Sequence, residues 1–266
     1  YRKRCEIMKN IALIGATGSV GEEIFNQLLK IDNLHVNTFT RRNITDVLHS
    51  EYDIIICAAP SSQKLKTNLG LDNSDKDIKN LCRIIKEIKT NRFILVSSQS
   101  VIYEAEKLYG KVQKKVLDSV LVHHSNHTVY LVDTLYGTSL NKGFISDIIT
   151  KQWSFLSDDY IQKSPELMNY YKRIGDTNLW ERYNELPKNL LEKLPNIVDI
   201  YPDDKVFQVT PIAALAKTLV ENMEKSQGLK TSISETEVFT GKQIKDLYEN
   251  PNEDTFLGKY FMKQKI

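Results

Sequence analysis

Long apolar runs are missing from this chain. No stretch of its 266 residues approaches the roughly 18 apolar residues that a helix needs to cross a bilayer. An excess of either charge is missing too. The 36 basic residues stand against 34 acidic ones, a net charge of +2, which gives no electrostatic reason to expect nucleic acid or a membrane surface as partner. Cysteine is scarce. Cys5, Cys57 and Cys82 are the only three and share no paired spacing, so they read as reduced thiols in a cytoplasmic protein rather than as a disulfide framework. There is no internal repeat and no low-complexity tract. The basic opening YRKRCEI has no apolar stretch behind it and does not read as a secretion signal; Met8 is the expected start, with residues 1–7 an upstream extension.

What is present is a regular alternation of strand-like and helix-like segments. NIALIGA (10–16) is a compact apolar run ending in glycine, the pattern of a strand buried on both faces. VGEEIFNQLLKI (20–31) puts Val20, Ile24, Leu28 and Ile31 on one helical face. LHVNTFT (34–40) and YDIIICAA (52–59) read as strands, DKDIKNLCRIIKEIK (75–89) as a helix with Ile78, Leu81, Ile85 and Ile88 inward. RFILVSS (92–98, strand), EAEKLYGKVQKKVLDSVL (104–121, helix) and TVYLVD (128–133, strand) continue the series. Such alternation predicts parallel strands joined by right-handed crossovers, hence an α/β doubly wound sheet of Rossmann type. From about residue 150 the chain turns aromatic and charged without strand alternation, and residues 153–195 read as helices and loops. KVFQV (205–209) returns to strand, PIAALAKTLVENMEK follows as a helix with proline in its first turn, and EVFT and GKQIKDLYE close the chain as strand and helix. The expected organisation is a dinucleotide-binding domain over 8–150 and a small, mostly helical substrate lobe over 151–266, with 205–225 returning to the first domain.

IGATGSVGEEI joins the first strand to the first helix, with Gly15, Gly18 and Gly21 in a G-x-x-G-x-x-G spacing. Glycines serve such a turn in three ways: one makes the tight bend, one lets a diphosphate approach the backbone, and one lets helix and strand pack closely. The helix that follows aims its first amides and its positive dipole end at the phosphates. Thr17 and Ser19 add hydroxyl donors, and Val20 completes the turn. A glycine-rich turn alone can be structural; here it follows a buried strand and opens a β-α-β series, the context that a dinucleotide site requires. The second strand ends in FTRRN. An acidic residue there would bind the ribose 2′-hydroxyl of NAD, whereas Arg41 and Arg42 offer guanidinium groups to the 2′-phosphate of NADP. Two solvated arginines at a strand end are the alternative.

With GATGSVG, a strand ending CAAP, a strand ending VSSQS and a helix containing YG in this order, the chain resembles the extended or atypical short-chain dehydrogenase/reductase superfamily. It looks most like the NAD(P)-dependent nucleotide-sugar epimerases, dehydratases and reductases of that group. The resemblance covers residues 9–137; beyond it, TLYG (134–137) is similar to the segment beside the nicotinamide, and FQVTPIAALAKTL to a strand and helix near the family's C-terminus. The resemblance implies an oxidoreductase, epimerase or dehydratase acting on a nucleotide sugar with a nicotinamide cofactor, and pairing of two copies as the default assembly; the arginines favour NADP over NAD. Residue by residue it implies that Gly15, Gly18 and Gly21 form the phosphate loop and that Ala58, Ala59 and Pro60 line the cofactor. Ser98, with Ser97 as second choice, would polarise the substrate oxygen, and Tyr109 would be the general acid/base. Only about ten residues separate Arg42 from the next strand, so one helix and one strand of the family's sheet are trimmed, and Asp46 is the remaining candidate for an adenine contact.

Gln113 departs from the pattern where it matters most, standing where the family carries its lysine. A free phenol has a pKa of about 10, and a cation within about 4–6 Å is a strong means of lowering it. Gln113 can bond a ribose hydroxyl but brings no charge, so Tyr109 is expected to stay protonated and to donate a proton more readily than it takes one. Lys114 lies about 100° round the helix and Lys111 nearly opposite Tyr109; Tyr103 and Lys107 of YEAEK form a second, less well placed pair. Two functions remain in view: a working reductase, epimerase or dehydratase, or a catalytically silent NAD(P)-binding sensor or interaction protein of the same fold. His123, His124 and His127 cluster in VHHSNHTV without a thiol or carboxylate nearby and are expected in a solvated loop rather than around a metal. Trp153 and Trp180 are expected to anchor the lobe's core, with stacking on a base or sugar as the alternative.

Overall fold

The computed structural model describes residues 8–60, 63–72, 74–140, 143–192, 194, 203–225 and 228–264. Cys5 and the rest of the 1–7 segment, and Pro195 at the end of the segment read as helices and loops, lie outside the described residues. In chain order the first elements are β1 (Lys9–Ile14), α1 (Ser19–Leu28), β2 (Leu34–Phe39), a 3-10 turn at Ile44–His49, β3 (Tyr52–Cys57), α2 (Lys64–Asn68), α3 (Ser74–Glu87) and β4 (Thr90–Ser98). Next come α4 (Ser100–Tyr103), α5 (Leu108–His123), β5 (His127–Val132), β6 (Thr134–Tyr136), α6 (Phe144–Thr150), β7 (Phe155–Ser157) and α7 (Asp158–Lys163). After β8 (Tyr171–Arg173), β9 (Leu179–Arg182) and α8 (Lys188–Leu191) the chain closes with β10 (Val206–Pro211), α9 (Ile212–Glu221), β11 (Gly228–Lys230), β12 (Glu237–Thr240), α10 (Gly241–Glu249) and α11 (Phe256–Gln264).

Two units result, Tyr1–Leu135 with Thr210–Thr236, and Tyr136–Val209 with Glu237–Ile266. The first is built on a six-stranded sheet of order β11-β5-β4-β3-β1-β2, parallel throughout. Strands buried on both faces must be apolar at every position, because successive side chains alternate between faces. Ile11, Leu13, Ile54, Ile56, Ile94 and Val96 pack on one side with α1 and α9. Ala12, Ile14, Ile55, Cys57, Phe93 and Leu95 pack on the other with α3 and α5. Helices on both faces make the sheet doubly wound, as the alternation of segments predicts.

Several local readings are corrected. The first helix stops at Leu28, and Ile31 lies beyond it, exposed. The tyrosine-bearing helix begins at Leu108 rather than at residue 104, after the short α4 and a turn. Edge strand β11 and helix α11 appear where the sequence reading placed neither. The aromatic segment after residue 150 does contain strands: β7, β9 and β8 form a small antiparallel sheet in the second unit. Three- and four-residue strands are too short to show an alternating pattern. Trp153 sits in that unit's core, while Trp180 is half-buried and donates its indole N–H to Asp158 at 2.6 Å. His124 is buried, its Nε2 2.8 Å from the carbonyl of Ile85 and its ring stacked on Phe93, so it packs the core instead of lying in a solvated loop.

Candidate active site

The sheet's carboxyl edge gathers the residues singled out from the sequence. Register aligns Ile14 with Phe39 and with Cys57, and Ser98 with Val132. The glycine turn, the arginines, Ala58–Pro60 and the serines therefore follow neighbouring strand ends. From β1 the chain runs outward to β2, then returns to place β3 on the other side of β1. That reversal is the switch point where doubly wound sheets bind ligands.

At the switch point the glycine turn meets the end of β3. Gly15 has φ +90°, and a Cβ there would stand 2.7 Å from the backbone of Ala58 and Ala59. Any other residue would force the turn and the strand end apart. Gly18 is the N-cap of α1 and brings no capping side chain, so the first-turn amides, which have no partner within the helix, are left to an outside acceptor. A Cβ on Gly18 would meet only the Gly15 carbonyl, at 3.5 Å, and Gly18 and Thr17 are exposed. An open, amide-lined helix end of this kind fits a diphosphate. On the β2 side, Asn43 Oδ1 accepts from the amide and the hydroxyl of Thr40 at 2.8 and 3.0 Å and shapes the turn that carries the arginines. Arg41 reaches Asp77 of α3 at 3.2 Å. Arg42 is exposed and has no ion pair among the described residues. Asp46 is exposed on the 3-10 turn.

Tyr109 is the second residue of α5 and is 7% exposed. Burial raises its phenol above the ordinary value of 10; hydrogen bonds with Ser98 and Gln113 pull it back, and the carboxylate of Glu104 pushes it up again. Ser98, Tyr109 and Gln113 thus come together, and among the described residues Glu104 is the one charge acting on the phenol. Glu104 is held by Ser100 Oγ at 2.9 Å, by Lys107 at 2.8 Å and by Lys64. Burial works against its ionisation, yet these three partners bring its carboxyl down to about 2. Ser97 points elsewhere. It shares the face of β4 that carries Phe93 and Leu95, the face covered by α5, and its Oγ lies 3.2 Å from Gln113 Oε1, both side chains buried. The pair of Tyr103 and Lys107 is not assembled, for Tyr103 is 77% exposed and Lys107 is bound to Glu104. Lys111 and Lys114 face outward, Lys114 onto Asp118.

Two further residues belong to the site and carry no motif. Asn68, at the end of α2, accepts the backbone N–H of Tyr109 at 2.8 Å. Gly110 lies against the carbonyls of Glu104 and Ser100, where a Cβ would stand 2.1 and 2.7 Å away. A glycine inside a helical pattern is the kind of signal that could have found it; nothing in the sequence points to Asn68.

No family model matches the chain, and no curated protein sequence matches it. Solved structures do. It is similar to the capsular polysaccharide assembling protein CapF from Staphylococcus aureus at 14% identity and TM-score 0.58, covering 96% of this chain and 63% of that one. It thus spans less than two thirds of CapF's length. It is similar to dTDP-4-dehydrorhamnose reductase from Bacillus anthracis in complex with NADP at 14% identity and TM-score 0.60, covering 95% and 85%. UDP-glucuronic acid 4-epimerase from Bacillus cereus, in complex with UDP-glucuronic acid and NAD, matches at 16% identity and TM-score 0.61, covering 90% and 81%. The chain shares the Rossmann-type doubly wound fold of these structures. The two enzymes just named are a reductase and an epimerase of nucleotide sugars, one holding NADP and the other NAD.

Proposed function

We propose that the chain is an NADP-dependent enzyme that reduces a keto group on a nucleotide sugar. The carrying observation is the buried Tyr109 phenol, hydrogen-bonded by Ser98 and Gln113 and, among the described residues, without a cation acting on it that would make it a base at neutral pH. A phenol so placed gives its proton to a developing alkoxide more readily than it takes one from an alcohol. Epimerisation or dehydration would ask it to do both. Ser98 would polarise the same oxygen. The first-turn amides of α1 would hold the diphosphate, Arg42 the 2′-phosphate, and Ala58–Pro60 the wall beside them. When bound, the nicotinamide supplies the hydride. The substrate class rests on the reductase and epimerase that share the fold.

A second reading, a silent NADP-binding sensor, is favoured by one observation: Gln113 occupies the place of the lysine that the resemblance implies. Purified protein incubated with NADPH and a panel of 4-keto nucleotide sugars separates the two. Turnover in the wild type that drops about 10²–10⁴-fold in Tyr109→Phe supports the reductase. NADPH binding with no turnover on any sugar supports the sensor.

A further inference from the structure

Helix α2 reaches the turn before α5 at two points. Lys64 forms an ion pair with Glu104, and Asn68 Oδ1 accepts the backbone N–H of Tyr109 at 2.8 Å. Residues four apart on a helix share one face, so a single side of α2 spans the turn from its carboxylate to the tyrosine. Glu104 is built into that turn from several directions. Its amide donates to the carbonyl of Ser100 at 3.1 Å, and its carbonyl accepts the Lys107 amide at 3.0 Å. Its carboxylate accepts from Ser100 Oγ at 2.9 Å and from Lys107 at 2.8 Å. The same Ser100 gives its amide to Ser98 Oγ at 3.2 Å. The carbonyls of Ser100 and Glu104 also close in on Gly110, the neighbour of Tyr109, where a Cβ would meet both. One turn therefore ties Ser98, Glu104 and Tyr109 together, and α2 grips it at both ends.

We infer that Lys64 and Glu104 are positioning residues for Tyr109: their ion pair seats α2 on the turn and so holds the Asn68 acceptor at the tyrosine's amide. The inference rests on the reading under Proposed function and deepens it. A helix of five residues is too short to stand unsupported, so its place is set by what it touches. An ion pair between two freely moving surface side chains would fix little. Here the half-buried carboxylate is already held by Ser100 and Lys107, which gives the Lys64 ammonium a fixed target. The same partners bring the Glu104 carboxyl down to about 2, so the pair stays charged through the neutral range. Lys64 itself is exposed, and its replacement leaves the core untouched.

The test reads the Tyr109 amide directly, by NMR-detected hydrogen exchange in the unliganded protein. That N–H has no acceptor within its own helix, so its protection reports the Asn68 contact, while the buried β4 amides report opening of the whole domain. In Lys64→Met the Tyr109 amide is expected to exchange about fivefold faster relative to β4, the size of a coupling between residues in one network. Lys64→Arg, which keeps the cation, should restore the wild-type rate. In an Asn68→Ala background the acceptor is gone, and Lys64→Met should add nothing. For reduction of the keto sugar, kcat should fall about fivefold in Lys64→Met with KM for NADPH held within about twofold. If Lys64→Met leaves Tyr109 exchange unchanged, speeds it no more than the β4 amides, or speeds it equally with and without Asn68, the inference is overturned. Glu104→Gln, which keeps the size of the side chain and removes its charge, answers to the same outcomes where the lysine variant does not fold. If exchange responds as expected while neither wild type nor variant turns over any sugar, the seating of α2 stands and the reductase reading falls.

Discussion

Asn68 Oδ1 accepts the backbone N–H of Tyr109 at 2.8 Å, so a residue at the end of one helix caps the first turn of another. Lys107, the N-cap of α5, has no capping side-chain bond of its own. The Tyr109 amide has no acceptor within its own helix, and Asn68 supplies one. Asn68→Ala should cost about 1 kcal/mol, the usual value of a helix cap, read from chemical denaturation. Turnover should fall by more than the stability loss explains, because the displaced turn carries the phenol.

Gly110 tests the same turn by volume. An added methyl would press on two carbonyls, Glu104 O and Ser100 O, that belong to rigid backbone. Gly110→Ala should destabilise by about 1–3 kcal/mol and move Tyr109 away from Ser98. A variant that melts with the wild type would show that the turn yields freely.

The phenol sets the pH dependence. Tyr109 is raised above 10, chiefly by burial, so the proton-donating form is complete at neutral pH and is lost only as pH climbs through that raised value. Reduction should therefore be level with pH through the neutral range, with no decline before about pH 9 from this group. Gln113→Lys would place a cation beside the phenol and lower its pKa. Oxidation of the alcohol product should then rise near pH 7, and the level region for reduction should end at a lower pH. Initial rates in both directions across pH check both statements.

Cofactor choice should rest on one arginine more than the other. Arg41 is engaged by Asp77 at 3.2 Å, whereas Arg42 has no ion pair among the described residues. Arg42→Ala should weaken NADPH binding about tenfold, the loss of a charge-assisted contact to phosphate, and leave NADH binding unchanged. Fluorescence titration with the two cofactors reads the difference.

The second unit carries its own titration. Asp147 is buried, and burial pushes its carboxyl up to about 6 even though Ser154 bonds it through Oγ at 2.7 Å. A folded value above the unfolded one means that the stabilisation is complete below the unfolded value of 3.8 and is lost as pH rises through about 6. Between about pH 4 and pH 7 this group should cost the fold up to roughly 3 kcal/mol. Asp147→Asn should flatten that slope in denaturation curves taken across the range.

Much of this protein was legible one residue at a time. Apolar strands buried on both faces, glycines at a strand-to-helix turn, and helices of one apolar side each follow from local rules: alternation, positive φ, a 3.6-residue period. These determined the β-α order, the glycine turn and the helix that carries Tyr109. The short strands β7, β8 and β9 gave no such period, and β11 is an edge strand of three residues that exists only because β5 pairs with it. A return of the chain to the first domain is already expected over 205–225, and tertiary structure set its bounds at Thr210–Thr236. It alone decided that Ser97 and Gln113 face each other, and that Asn68 closes the turn of Tyr109. Those contacts join residues 16 and 41 positions apart, and no local preference encodes a partner at that distance. The physical reason is that a hydrogen bond is selected by where packing delivers its donor and acceptor, and packing is a property of the whole sheet and its helices.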